Sequence, residues 1–354
     1  MSASTDEARR PATMRDVAAR AGVSVMTVSY AFNRPERVAD RTRRRVLDAA
    51  AEVGFTHADP TARSLRTGRY GVLGVILGEH LTYGFEDPQA ASFLAGVAET
   101  CAAHGLGMTI MPVGGDLGAG VIARLQVDGI IAWTLADDDP VIASLREVPV
   151  PVIMQSGNPG VGVAGIAIDD ERSAAAIGAH MLRSARRPAV LSLPRTHART
   201  EEVVLGPDPA SCTFPVTRHR LRGLREAAAD VGLDWSRVPV AFMERNSAQR
   251  SRGMAERLLA EHSPDVILCM GDQSALTVSA LVAETAAAAT AAGVTAGAHV
   301  RVSGWDADPV AVASGIPTVR QDLRGQGALA ARWVLDPEQD HAVTFLEAPW
   351  ELVV

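Results

Sequence analysis

The sequence predicts a small N-terminal all-α domain built on a helix-turn-helix, a short linking helix, and a large two-lobed α/β domain with parallel sheets. Helical spacing of apolar residues, closed off by glycines, fills positions 13–55. From Tyr70 the texture changes to strands alternating with helices, which predicts parallel sheets covered on both faces. That alternation yields roughly ten strands, too many for one small sheet, so two lobes with a cleft are expected.

The polar start, residues 1–12, is read as a disordered tail. In "TMRDVAARAG" the apolar positions Met14, Val17, Ala18 and Ala21 lie on one helical face, and Gly22 supplies a stop without Cβ strain. Ser24 suits the N-cap of a second helix running to about Phe32, with Val28, Ala31 and Phe32 inward. A third helix starts near Asp40, carries the stripe Val46, Leu47, Ala50 and Val53, and ends at Gly54. The pair is a helix-turn-helix candidate over 13–55, and a purely structural three-helix bundle has the same spacing. Arg41, Arg43, Arg44 and Arg45 would suit contact with a duplex backbone, or simply a solvated face. "ADPTARSLRTGRYG" then offers a cap at Asp59, Pro60 in the first turn and Gly68 as a stop; this linking helix, within 56–69, is too short to be stable alone.

In the body, 70–354, "GVLGVIL", "GMTIMPV", "DGIIAWTL", "VPVPVIMQS", "RPAVLSLP", "PVAFME", "DVILCMG" and "RVSGWD" read as strands. Helical stretches such as "QAASFLAGVAETCAAHG", "DERSAAAIGAHMLRSA" and "SRGMAERLLAEH" lie between them.

Composition narrows the function. The chain has no apolar run long enough for a bilayer and no signal-peptide core, so a soluble protein is expected. Cys101, Cys212 and Cys269 are scattered without CxxC spacing, which fits a reducing cytoplasm. Lysine is absent, removing P-loop and Schiff-base chemistry. The net charge of −7 is unevenly spread: residues 1–70 carry 13 Arg against eight acids, and the rest is strongly acidic. A basic head on an acidic body suits a phosphate-contacting module joined to something else.

Several motifs are decoys. "GVGVAG", Gly160–Gly165, matches GxGxxG but runs into "IAIDD", a strand, where a dinucleotide site needs a helix. "VGGDLGAG", Val113–Gly120, reads as a strand-to-helix turn. "DDDP", Asp137–Pro140, lacks calcium-loop spacing and reads as a solvated helix start. The histidines show no metal spacing and GxSxG is absent, so neither a catalytic set nor a metal or other cofactor is expected.

The residues "TMRDVAARAGVSVMTVSYAFN", "RTRRRVLDAAAEVGF", "ARSLRTGR", "VSGWDADP" and "PTVRQDLRGQGALAA", in this order, resemble the LacI/GalR family of bacterial transcription regulators from Thr13 onward. The resemblance implies a homodimer or dimer of dimers on a palindromic double-stranded DNA operator, and a hinge helix before a periplasmic-binding-protein-like effector domain. Three crossings, near Ile168–Asp170, Gln321 and Asp340, would give a first lobe of 70–167 and 322–338 and a second of 168–321 and 339–354.

By the same resemblance Thr13 and Ser24 match phosphate-contacting positions, and Val25, Met26 and Tyr30 match base-facing ones. Thr27, Ser29, Asn33 and Arg43 complete the expected DNA-binding set, with Leu65 as the minor-groove wedge and Arg66 beyond it. Two departures stand out: relatives often carry Arg or His where Tyr30 is, and "THADPTARSL" is one residue longer than usual. Met26 has no donor and favours a thymine methyl, and Tyr30 lacks the fork with which Arg selects guanine, so DNA shape should carry more of the specificity.

For the effector, the resemblance assigns Arg220 and Asp306 to ligand contact, with Asp272 and Gln321 lining the pocket and Ser156 where many relatives carry Asp. Tyr83, Phe85, Trp133 and Trp305 are candidates for pocket walls or for core. The set suits a sugar, and also a nucleobase or nucleoside. A small ligand changing operator affinity is the mechanism implied, most simply in a repressor; a ligand-binding protein with a merely structural helix-turn-helix and a cytoplasmic enzyme are the competing classes.

Overall fold

The computed structural model describes residues 12–55, 68–78, 81–113, 120, 122, 124–291, 300–336, 338–341 and 344–354. Of the sequence expectations, nearly all of the tail, most of the hinge segment including Leu65 and Arg66, and the centre of "VGGDLGAG" lie outside the described residues. The chain divides into two compact units, Met1–Tyr70 and Gly71–Val354.

Among its described residues the first unit holds three α-helices: α1 (Met14–Ala21), α2 (Val25–Asn33) and α3 (Asp40–Val53). Each boundary has a local cause. The Asp16 carboxylate accepts from the Thr13 N–H and hydroxyl, both at 2.7 Å, which fixes the first turn of α1. Gly22 and Gly54 close α1 and α3 at φ 62° and 73°, left-handed backbone that costs a side chain energy. Ser24 caps α2 by accepting from the Thr27 N–H at 3.1 Å. Val17, Val28, Ala31, Val46, Ala50 and Phe55 form the shared core, so the apolar stripes read from the sequence face each other.

The second unit begins with β1 (Val72–Leu77), α4 (Tyr83–Glu86), α5 (Pro88–Ala103), β2 (Gly107–Pro112), β3 (Ile130–Trp133), α6 (Val141–Glu147), β4 (Val152–Gln155) and β5 (Ala164–Ile168). It continues with α7 (Asp170–Leu182), β6 (Pro188–Ser192), β7 (Glu202–Leu205), α8 (Pro215–Asp230), β8 (Pro239–Phe242), α9 (Ala248–His262), β9 (Val266–Cys269), α10 (Asp272–Ala291), β10 (Arg301–Ser303), α11 (Pro309–Ala313) and β11 (Thr318–Gln321). The chain closes with α12 (Leu323–Leu335), β12 (Phe345–Ala348) and β13 (Trp350–Val353).

Two lobes result. The first sheet runs β12-β5-β4-β3-β1-β2, all parallel. The second runs β10-β9-β6-β8-β7, parallel except for β7. In each lobe two helices press together where a glycine removes the obstacle. A Cβ on Gly96 of α5 would sit 1.9 Å from the Arg324 carbonyl on α12, and one on Gly223 of α8 would sit 2.0 Å from the Glu171 carbonyl on α7.

One boundary differs from expectation. With the third crossing placed near Asp340, residues 339–354 belong wholly to the second lobe; instead Phe345–Ala348 pairs with β5 in the first sheet. The crossing lies at Pro349, after which β13 pairs antiparallel with β11 and sends Trp350 and Leu352 to the second lobe's core. The alternating texture of "TFLEAPWELVV" marks strands but carries no record of which sheet each joins.

Candidate functional site

Parallel strands of both lobes end at one cleft, the position where open α/β sheets present their loops to a ligand. A cavity there holds about 700 Å³ of space, part of it open to solvent. Tyr83, Trp133 and Phe214 give it aromatic walls, and Thr134, Gln155, Ser156, Arg220, Asp306 and Gln321 line it with polar groups. Thr134, Ser156 and Asp306, each just beyond a strand end, have φ of 39°, 53° and 106°. Such strained non-glycine backbone concentrates at functional sites, because surrounding contacts must hold it in place.

Arg220 is buried and held by two hydrogen bonds. Its Nε donates to Asp170 Oδ1 at 2.8 Å and its Nη1 to the Met270 carbonyl at 2.9 Å. Its guanidinium lies 3.9 Å from the centroid of the Trp305 ring, a cation–π contact in a dry setting. A line of amides joins the lobes. Thr134 Oγ1 donates to Gln155 Oε1 (2.9 Å), Gln155 Nε2 to Gln326 Oε1 (3.5 Å), Gln326 Nε2 to Gln321 Oε1 (3.2 Å), and Gln321 Nε2 to Asp306 Oδ1 (2.7 Å). Every donor points toward the second lobe, so Asp306 is the terminal acceptor. Burial pushes the Asp306 carboxyl well above the usual carboxylate range, with Arg220 and Gln321 opposing that rise.

Three expected pocket residues lie elsewhere. Phe85 is 67% exposed: two residues past Tyr83 in a helix, it points about 200° around the axis from it. Asp272 sits behind the cavity, where its Oδ2 accepts from the Asp308 N–H at 2.6 Å and its Oδ1 from the Thr318 hydroxyl at 2.9 Å. Burial raises its pKa from 3.8 to about 6. Trp305 is core under Arg220, and its Nε1 has no partner among the described residues. Tyr83, Trp133, Ser156, Arg220, Asp306 and Gln321 do come together. Sequence reasoning passed over Asp87, Thr134, Gln155, Thr217 and Asn246, which also line the cavity. A search of the residues immediately after each parallel strand would have found Thr134.

"DDDP" does begin a helix, α6, but it is not a solvated start. Asp137 Oδ2 accepts from Arg218 at 2.7 Å and Asn158 at 2.9 Å, and Asp139 lies 3.3 Å from His197. The segment meets the second lobe because its strand ends at the cleft. Cys101, Cys212 and Cys269 are free and buried, and burial raises their thiol pKa.

On the first unit, α2 leaves Val25 42% and Met26 60% exposed beside the cap Ser24. Thr27, Ser29 and Tyr30 are half-buried, and the Arg37 guanidinium lies 5.9 Å from the Tyr30 ring centroid. Thr13 is exposed next to α1, Arg43 is exposed on α3, and Asn33 ends α2. Val25 and Met26 thus place apolar side chains on the outer face of the second helix of the helix-turn-helix.

Residues 13–57 match the model of bacterial regulatory proteins, lacI family, and residues 71–341 match that of periplasmic binding proteins and the sugar binding domain of LacI family. The chain belongs to the LacI family. Among its relatives is the HTH-type transcriptional regulator Rv3575c of Mycobacterium tuberculosis, 32% identical over 93% of this chain and 92% of that one. The regulator IpsA of Corynebacterium glutamicum is 34% identical over 91% and 90%. A LacI-family regulator structure from Corynebacterium glutamicum aligns with TM-score 0.69 and 26% identity over 98% of both chains. The lac repressor dimer bound to operator and the anti-inducer ONPF aligns with TM-score 0.70 and 22% identity, again over 98% of both, which shows the shared fold. This LacI-family chain is therefore a DNA-binding transcription regulator, with its helix-turn-helix in the first unit and a two-lobed α/β domain after it. No helix among the described residues is long and apolar enough to cross a membrane.

Proposed function

We propose that this regulator acts as a homodimeric repressor on a palindromic operator, and that a sugar or similar uncharged polyol held between the lobes controls its operator affinity. The observation that carries the ligand class is the charge state of the cavity wall. Among the described residues that line it, Arg220 is the only cation, and Asp170 already neutralises it. A phosphorylated or carboxylated ligand would find no unpaired positive charge on this wall. Hydroxyls, by contrast, meet the carboxylate, amide and hydroxyl groups of Asp306, Gln321, Gln155 and Ser156, and the faces of Tyr83 and Trp133 suit the C–H side of a ring.

At the operator, Val25, Met26 and Tyr30 face the bases, Thr13, Ser24 and Arg43 the phosphates, and Thr27, Ser29 and Asn33 support the same surface. The exposure of Val25 and Met26 supports this assignment. Leu65 and Arg66 in the hinge reach the minor groove in the same scheme. Ligand and DNA are then linked through the equilibrium between two states of the chain, each favouring one partner.

Two experiments test the reading. Selection of duplexes from a random pool is expected to enrich a palindrome whose half-sites are not dominated by a guanine opposite Tyr30. Calorimetric titration with monosaccharides, cyclitols, their phosphates and nucleosides is expected to detect an uncharged polyol. Binding of the phosphates or nucleosides alone would refute the ligand class.

A further inference from the structure

Arg37 stands on the turn that follows α2, in the stretch "NRPERV". Pro35 opens a single 3-10 turn, Pro35–Arg37, since its ring already holds the backbone near the φ such a turn needs. Two backbone bonds fasten the turn to the helix. The Arg34 N–H donates to the Tyr30 carbonyl at 2.9 Å, and the Arg37 N–H donates to the Arg34 carbonyl at 2.9 Å. The chain is thus folded back on the end of α2, and the Arg37 guanidinium lies over the Tyr30 ring, 5.9 Å from its centroid.

The place of that ring on the helix makes the contact relevant to recognition. Met26 and Tyr30 are one helical turn apart, so they share a stripe of α2, with Met26 exposed and Tyr30 half-buried. A guanidinium over Tyr30 carries the stripe past the last residue of the helix. Arg37 is itself exposed, and its side chain makes no hydrogen bond or ion pair among the described residues. Arg41, Arg43, Arg44 and Arg45, on α3, have no such ring contact among the described residues.

Stacking on a ring engages the flat face of a guanidinium and leaves its edge of N–H donors free. That edge matches the O6 and N7 acceptors that guanine presents in the major groove. Met26 has no donor and Tyr30 only one hydroxyl, so neither can make that paired contact. The ring also restricts a long side chain beforehand, so less freedom is lost when the fork meets a base.

We propose that Arg37 is a base-reading residue, held by Tyr30 as a platform, and that it selects guanine at a base pair neighbouring the one Tyr30 faces. The inference rests on the operator reading above and adds to it a specificity-determining residue outside α2.

Duplex selection from a random pool, repeated with variants of the full chain, tests it. The wild type is expected to enrich one guanine whose preference falls about tenfold or more in both Arg37→Ala and Arg37→Lys. Arg37→Lys keeps the charge, so the salt dependence of its binding should stay while the preference goes. Tyr30→Phe keeps the ring and should keep the guanine, whereas Tyr30→Ala should lose it as Arg37→Ala does. A uniform loss of affinity in Arg37→Ala, with every base preference intact, would make Arg37 a phosphate contact and overturn the inference. So would a guanine preference that survives Arg37→Lys or Tyr30→Ala. If the wild type enriched no duplex at all, the operator reading itself would fail and this inference with it.

Discussion

The outer face of α2 and the cleft between the lobes solve recognition in opposite ways. On α2, Val25 and Met26 stand exposed, and their helix is held by contacts on its other side, at Val28 and Ala31. In the cleft, recognition groups are tied to one another. Arg220 is spent on Asp170 and Met270, and Asp306 ends a line of amides that begins at Thr134. Surface readers can therefore change with little effect on folding, whereas cleft residues carry stability and recognition together.

The largest expected effect comes from breaking the buried pair. Arg220→Met leaves Asp170 charged and unpartnered, and should cost about 3–5 kcal/mol in chemical unfolding of the effector domain. Adding Asp170→Asn should restore much of the stability and none of the polyol binding. If Arg220→Met unfolded like the wild type, the cleft would not be the coupled network described.

Next is the buried carboxylate behind the cavity. Because burial raises Asp272 above its ordinary 3.8, its contribution to stability is fully present below that value and is lost as pH rises through about 6. Thermal melts should therefore show stability falling over this window, with a shallower fall in Asp272→Asn. An unchanged slope would mean that the site does not titrate there.

Smaller effects belong to the head. Ser24→Ala removes the α2 cap and should cost about 0.5–2 kcal/mol of head stability, read from the helical signal on heating. Met26→Ala should shift stability by no more than about 0.5 kcal/mol yet weaken operator binding several-fold, measured by gel shift. Tyr30→Arg is expected to raise the preference for guanine in a repeated duplex selection. Base preferences left untouched by Tyr30→Arg would remove that residue from the reading face.

The same contrast explains what could be read in advance. The head's helices are set by neighbours in sequence: Gly22, Ser24 and Gly54 each act within one turn, and the structure ends or begins a helix at each. The strand–helix rhythm of the body is local too, and it appears as two sheets. Which sheet a strand joins is not local, and so Phe345–Ala348 was expected in the wrong lobe. In the cleft, Arg220, Asp306 and Gln321 were reached through family resemblance, not spacing, since they lie on three different elements. Gln155 and Asn246 gave no local signal, because their relation to the cavity depends on where β4 and β8 end within their sheets. Trp305 and Asp272 have the chemistry of site residues, but here they hold other residues in place.

The most direct test of the central claim is the affinity of the full chain for its selected duplex, measured by fluorescence anisotropy with and without the polyol found by calorimetry. The account predicts a change of about 5- to 150-fold, the usual range for linked sites, and no change in the Arg220→Met/Asp170→Asn protein. Equal affinity with the cleft empty and saturated would contradict it.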